Sequence, residues 1–266
     1  MAEKTPRHEM TTRKVVYEIP GMTDASVRQD IPYGSTDEGP LTFDLYSPPS
    51  GARHPVIVFV SGFPDHLGSP MLGCKLKEMA SYISWGQLVA ASGMSAVTFT
   101  SREPAGDLQT LLGYLRQHAE ELDIDATRIG IWAASGNVPN ALGALTREAF
   151  ACAVLCYGFM FDQAGSTWVA QAAAAYRFAN PAAGKSVADL PSDLPLFVVR
   201  AGRDMPQLNG TIDGFIAAAL ARNLPLTFAN HATGPHSFDI VEDSATSRDL
   251  VRAILGFLAN HLLRPR

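Results

Sequence analysis

Short runs of apolar residues alternate along this chain with longer segments in which apolar residues recur at helical spacing. Residues 56–60 form one such run, Val-Ile-Val-Phe-Val, which suits a strand covered on both faces. Leu108, Leu111, Leu112 and Leu115 lie three or four residues apart, as on a helix face that packs against a sheet. Strands that alternate with amphipathic helices form a mostly parallel sheet with helices on both faces, so the pattern predicts an α/β fold.

The full pattern predicts a twisted sheet of about eight strands. Two early segments, residues 15–19 and 41–46, alternate apolar and polar residues and favour an antiparallel pair at the sheet edge. The other predicted strands are residues 56–60, 96–100, 129–134, 153–157, 196–199 and 225–228. Helices are predicted around residues 76–91, 108–115, 208–220 and 250–258.

Length and hydrophobicity favour a single domain over residues 1–266. Of the 266 residues, 47% are hydrophobic, which is enough for one large core without cross-links. Residues 159–193, after the sixth predicted strand, do not fit the alternation and are rich in Ala, Gly and Pro. Loops of this length are usually functional or mobile. We expect either a short cap-like helical excursion over the carboxyl edge of the sheet or a peripheral insertion.

Charge and composition exclude several classes of partner. The net charge of -5 offers no basic stripe for a phosphate backbone, so no nucleic-acid partner is expected. The first ten residues are charged and lack the apolar core of a secretory leader. No apolar stretch reaches the ~18 residues of a membrane span. Cys74, Cys152 and Cys156 do not form a disulfide framework. We therefore expect a reduced, cytoplasmic protein, and a homo-oligomer is compatible with the sequence.

The fifth predicted strand ends in a turn of small residues that contains a serine. The turn reads Ala133-Ala134-Ser135-Gly136-Asn137, and the residues after it can form a helix. A tight strand-to-helix turn would project the Ser135 hydroxyl above the sheet and place the Gly136 N–H at a helix N-terminus. Ser135 is therefore a candidate nucleophile, although a serine that only caps a helix is also common.

This turn resembles the nucleophile elbow of the α/β-hydrolase family, written G-x-S-x-G, with Ala133 and Asn137 replacing the outer glycines. The family arranges its catalytic residues in the order Ser, acid, His, each beyond a strand. Asp204, in Gly202-Arg203-Asp204, resembles the acid, and His236, in Gly234-Pro235-His236-Ser237-Phe238, resembles the histidine. Asp162 and His231 are the alternatives for these two positions.

The loop after the third predicted strand reads Ser61-Gly62-Phe63-Pro64 and resembles the family's oxyanion loop. The resemblance implies that the N–H groups of Phe63 and Gly136 hold the oxyanion. Asp65 and His66 follow and either line the mouth of the site or belong to a solvated loop.

The resemblance is to serine carboxylesterases related to dienelactone hydrolases, which themselves place a cysteine at the elbow. It implies hydrolysis of small carboxylic esters through an acyl-enzyme, without cofactor or metal. A peptidase or acyltransferase on the same residues, and a non-catalytic binding protein, are the alternatives. Four residues of the excursion are candidates for an apolar substrate pocket or for core packing: Phe159, Met160, Phe161 and Trp168.

Overall fold

Eight strands form the central sheet of this computed structural model, which describes residues 7–37, 39–49, 53–163 and 165–264. The strands are β1 Ser26–Thr36, β2 Gly39–Ser47, β3 His54–Phe59, β4 Ser95–Phe99, β5 Ile124–Ala134, β6 Cys152–Cys156, β7 Leu196–Ala201 and β8 Leu226–His231. Their order across the sheet is β1-β2-β4-β3-β5-β6-β7-β8. β1, β2 and β4 pair antiparallel, and the remaining pairs are parallel. The loops after β3, β5, β7 and β8 therefore leave the sheet at the same edge.

Helices cover both faces of the sheet. They are α1 Asp65–Leu72, α2 Ala80–Ala91, α3 Pro104–Gln117, α4 Val138–Leu145, α5 Trp168–Tyr176, α6 Pro206–Ala221, α7 Phe238–Val241 and α8 Ala245–Leu262. Alternate residues of β3 enter different cores: Val56 and Val58 pack with α3, α4 and α6, whereas Ile57 and Phe59 pack with α2 and α8. This two-sided burial explains why the strand is apolar throughout. The predicted α/β fold with a mostly parallel sheet of about eight strands is confirmed.

The predicted strand at residues 15–19 is wrong. This segment has no regular secondary structure and lies outside the sheet, where the Val15 N–H donates to Ser84 Oγ (3.0 Å) and the Val16 N–H to the Asp239 carbonyl (2.8 Å). The antiparallel edge strand is instead β1. Most of its side chains are exposed, and Asp30, with φ 54°, interrupts its register with β2. An exposed edge strand with an irregular residue has little apolar alternation to detect.

Residues between β6 and β7 contain α5 and a 3₁₀ turn at Val187–Asp189 rather than a second large unit. The predicted helix at residues 76–91 begins as a 3₁₀ turn, Leu76–Glu78, before α2. Assignment of residues 1–266 to one domain stays a prediction. Residues 1–6, which contributed to the expectation that a leader is absent, lie outside the described residues. No helix in the described ranges is both long and apolar enough to cross a membrane.

Candidate active site

Ser135 follows directly on the last residue of β5 and begins the 3₁₀ turn Ser135–Asn137 that leads into α4. Its φ of 57° lies in the left-handed region, which non-glycine residues seldom occupy. Such a conformation costs about 1–3 kcal/mol and persists where the surroundings impose it. Gly158 is one of those surroundings, since a Cβ there would lie 3.0 Å from the Ser135 carbonyl and 2.2 Å from Val138 Cγ2. The sharp turn therefore requires close packing around the serine.

His236 links the serine to the acid that follows β7. Its Nε2 lies 2.9 Å from Ser135 Oγ, and its Nδ1 lies 2.5 Å from Asp204 Oδ2. The Asp204 side chain is 3% exposed, whereas the imidazole is 38% exposed. A carboxylate only accepts hydrogen bonds, so the proton of the neutral imidazole belongs on Nδ1 and the Nε2 lone pair faces the serine. The structure thus brings the three predicted residues into one hydrogen-bonded chain.

The acid and histidine loops are bound to each other through their backbones. The Gly202 N–H donates to the His231 carbonyl at 2.8 Å, and the Arg203 N–H donates to the Gly234 carbonyl at 2.9 Å. A Cβ on Gly202 would lie 2.1 Å from the Ala232 carbonyl oxygen, so only glycine allows this approach. The two loops therefore hold the carboxylate and the imidazole at a fixed separation.

The two alternative residues lie elsewhere. Asp162 accepts hydrogen bonds from the N–H groups of Val169 (2.8 Å) and Ala170 (3.0 Å), so its carboxylate stabilises the first turn of α5. The His231 ring is buried at the end of β8, where its Nε2 lies 3.1 Å from Ser247 Oγ. The structure therefore selects Asp204 and His236 for the chain that reaches Ser135.

Tyr157 and Asp239, which no sequence motif marks as site residues, lie behind the histidine. The Tyr157 ring meets the His236 ring edge-on, with centroids 5.1 Å apart, and its hydroxyl donates to Asp239 Oδ1 at 2.6 Å. Trp85 Nε1 donates to Asp239 Oδ2 at 2.9 Å. Burial raises the pKa of Asp239, although the bonds from Tyr157 and Trp85 oppose that rise. The only local signal was an acidic residue three positions after His236.

The loop after β3 packs against the elbow. A Cβ on Gly62 would lie 2.5 Å from the Gly136 carbonyl oxygen, and a Cβ on Gly136 would lie 2.7 Å from Phe63 Cζ. No hydrogen bond within the described ranges uses the N–H of Phe63 or Gly136. Both predicted oxyanion donors therefore lie on segments in mutual contact, and both remain able to donate.

Asp65 and His66 begin α1 beyond this loop. The Asp65 carboxylate accepts a hydrogen bond from the Ser101 N–H at 3.0 Å, and burial raises its pKa. The His66 side chain is exposed. Asp65 thus ties α1 to the residues after β4.

The four predicted substrate-binding residues separate into two groups. The Phe159 and Trp168 rings stack with centroids 5.7 Å apart, and Phe159 also meets Phe178, which contacts the elbow at Gly136. Met160 is fully buried, and Phe161 stacks on Phe215 of α6. Phe159, Met160 and Phe161 are all buried in one core, and Trp168 is half-buried against it. Phe178, from the same excursion, was missed because nothing in the local sequence places it over the elbow.

Among the described residues, no group of three His, Cys, Asp or Glu side chains could share a metal ion.

No protein-family model and no curated protein matches the chain.

The structure is nevertheless similar to solved esterases. A bacterial heroin esterase is 16% identical, with a TM-score of 0.69, over 94% of this chain and 88% of that one. Carboxyl esterase 2 from the mycorrhizal fungus Tuber melanosporum is 16% identical, with a TM-score of 0.72, over 97% and 92%. The thermophilic esterase Est2 from Thermogutta terrifontis is 18% identical, with a TM-score of 0.69, over 91% and 94%. At these identities the likeness shows a common α/β-hydrolase fold.

Proposed function

We propose that this protein is a serine hydrolase that cleaves small carboxylic esters through an acyl-enzyme intermediate. The observation that carries the proposal is the hydrogen-bonded chain from Ser135 through His236 to Asp204. A serine hydroxyl is a weak nucleophile at neutral pH and needs an adjacent base, which is the part the imidazole would play. The esterases that share the fold support ester hydrolysis as the reaction.

In the proposed acylation step, Ser135 Oγ attacks the ester carbonyl carbon while its proton passes to His236 Nε2. Asp204 keeps the other imidazole proton on Nδ1 and stabilises the imidazolium that forms. The imidazolium then gives its Nε2 proton to the leaving alcohol as the carbon–oxygen bond breaks. In deacylation a water molecule takes the place of the alcohol, and the same proton transfers release the carboxylic acid.

The N–H groups of Phe63 and Gly136 would hold the negative charge that develops on the carbonyl oxygen. Both belong to backbone that is packed in place, so they would need no rearrangement during the reaction. A preorganised donor of this kind is worth about 3 kcal/mol of transition-state stabilisation.

Small acyl groups are the proposed substrates. The Phe63 and Phe178 rings both approach Gly136 closely: a Cβ added there would lie 2.7 and 2.9 Å from them. The two rings meet edge-on, with centroids 6.0 Å apart, and leave little width beside the elbow.

We also propose a cytoplasmic location, which is supported by the three free, buried cysteines, Cys74, Cys152 and Cys156.

The test is turnover of p-nitrophenyl acetate by the wild-type protein and by Ser135→Ala. The variant should lose about 10⁴-fold or more in kcat and still fold, since it removes only a hydroxyl. Asp162→Asn is the matched control, because that carboxylate contacts α5 and not His236. Undiminished activity in Ser135→Ala would refute the assignment.

A fluorophosphonate probe separates the proposed function from its rivals. Labelling of Ser135 that is lost in His236→Ala would support an activated serine, whereas an unlabelled wild-type protein would favour a binding protein. Adding an alcohol or an amine acceptor to the ester assay distinguishes hydrolysis from acyl transfer, and a peptide p-nitroanilide tests the peptidase alternative.

A further inference from the structure

Asn137 occupies the last position of the elbow, where the α/β-hydrolase pattern has glycine. Its backbone has φ -82° and ψ -19°, which is ordinary right-handed helical geometry. The turn therefore does not require a glycine here, and the side chain is free to have a role of its own.

Both ends of the Asn137 amide are hydrogen-bonded inside the protein. Its Oδ1 accepts the Gly62 N–H at 2.7 Å, and its Nδ2 donates to the Tyr82 hydroxyl at 3.0 Å. The orientation of the amide follows from the chemistry, because a backbone N–H can only donate and so must face the oxygen. The residue is 5% exposed, so neither bond competes with bulk water.

A second asparagine one helical turn later holds the same loop. Asn140 Nδ2 donates to the Ser61 carbonyl at 2.7 Å, and this side chain is also buried. Asn140 and Asn137 therefore bind two consecutive residues of the loop after β3. Asn140 bonds to the Ser61 carbonyl, and Asn137 bonds to the Gly62 N–H. The next N–H along this loop is that of Phe63.

We propose that Asn137 is a positioning residue that fixes the oxyanion loop to the nucleophile elbow. Its bond to Gly62 uses the N–H that precedes the Phe63 donor, so the direction of the Phe63 N–H is set relative to Ser135 and Gly136. The two oxyanion donors then belong to one rigid unit. This inference rests on the proposed ester hydrolysis and deepens it. Asn137, which stands where the family pattern has glycine, aligns the two N–H donors of the site.

The experiment uses Asn137→Gly and Asn137→Ala with p-nitrophenyl acetate. Both residues fit the observed backbone angles, and either variant alone carries the test if the other fails to fold. Each should lower kcat by about 10- to 100-fold with KM changed less than about 3-fold, because a donor misplaced by about an ångström acts mainly on the transition state. Replacement by glycine would thus restore the family pattern and impair the enzyme.

Fluorophosphonate labelling separates alignment from simple loss of folded protein. The final amount of label measures the number of reactive serines and should match the wild type. The rate of labelling should fall about as much as kcat, because the phosphoryl oxygen of the probe occupies the same oxyanion hole as the ester oxygen. Ser84→Ala is the stability control. Ser84 is buried, accepts the Val15 N–H and donates to the Ser81 carbonyl, and lies outside the site. It should lower Tm without changing kcat per labelled site.

The outcomes are distinct. If both folded Asn137 variants keep kcat per labelled site within about 2-fold of wild type, or change only KM, the positioning role is overturned. If the wild-type protein neither turns over the ester nor takes up the label, the proposed function fails and this inference fails with it.

Discussion

The buried carboxylate behind the histidine loop leads to a prediction about Tyr157→Phe. This change deletes the hydroxyl that donates to Asp239 Oδ1 at 2.6 Å and keeps the ring that packs against His236. Asp239 is 2% exposed, so water cannot replace the lost donor. A hydrogen bond to a charged group contributes about 1.5–3 kcal/mol, and we expect the unfolding free energy near neutral pH to fall by about 2 kcal/mol.

Tyr33→Phe is a matched control for this change. The Tyr33 hydroxyl is equally buried and donates over the same distance, 2.6 Å, but its acceptor is the neutral carbonyl of Thr100. Loss of a bond to a neutral acceptor costs about 0.5–1.5 kcal/mol. The difference between the two variants therefore isolates the charge of Asp239 from the general cost of removing a buried tyrosine hydroxyl.

The pH dependence follows from the direction of the Asp239 pKa. Burial raises that pKa above its unfolded value, so ionisation of the carboxyl costs stability, which declines as the pH rises through the raised pKa. The Tyr157 bond limits the rise, and its removal raises the pKa further. The destabilisation by Tyr157→Phe should therefore be larger at about pH 8 than at about pH 5, where more of the carboxyl is protonated and uncharged.

Thermal and urea unfolding of wild type and both variants at these two pH values would measure the effect. A loss of about 2 kcal/mol corresponds to a Tm about 4–8 °C lower in a protein of this size. Equal losses in Tyr157→Phe and Tyr33→Phe at both pH values would show that Asp239 carries no charge in the folded state, and the reasoning would be refuted.

Three further predictions concern the proposed site. Asp204→Asn should lower kcat on p-nitrophenyl acetate by about 10⁴-fold, because the amide can hold the wrong imidazole tautomer. Asp162→Asn should cost about 1 kcal/mol in urea unfolding and leave kcat unchanged, and the reverse pattern would move the acid to Asp162. Phe178→Ala should open space beside Gly136 and raise the ratio of kcat/KM for p-nitrophenyl octanoate over acetate by about 10-fold; an unchanged ratio would place the acyl pocket elsewhere.

Much of the fold was predictable because its signals are local. A buried parallel strand is apolar throughout, and a helix on a sheet shows its apolar stripe, so the strands from residue 41 onward could be assigned. Ser135, Asp204 and His236 could be proposed for the same reason, since each follows a strand in a short motif. β1 could not, because a largely exposed edge strand with a left-handed residue at Asp30 has no such pattern.

Contacts between distant residues were not predictable from one sequence. Asn137 and Tyr82 are 55 positions apart, and Tyr157 and Asp239 are 82 apart, so no local spacing connects either pair. Likewise, only the fold shows that the His231 ring is buried beside Ser247, whereas the His236 ring reaches Ser135. The loop motifs could thus suggest candidate site residues, but only the tertiary structure shows which of them lie close together.

The segment between β6 and β7 contacts both the loop after β3 and the helix α4 beside the proposed site. Its Ala179 N–H donates to the Gly62 carbonyl at 2.8 Å, so it holds the loop whose N–H is held by Asn137. A Cβ on Gly143 of α4 would lie 2.6 Å from Pro181 Cγ, so the segment packs closely against α4. Small residues and proline suit this close approach and the turn that begins at Pro181. These contacts favour the cap-like interpretation of the sequence, which stays a prediction.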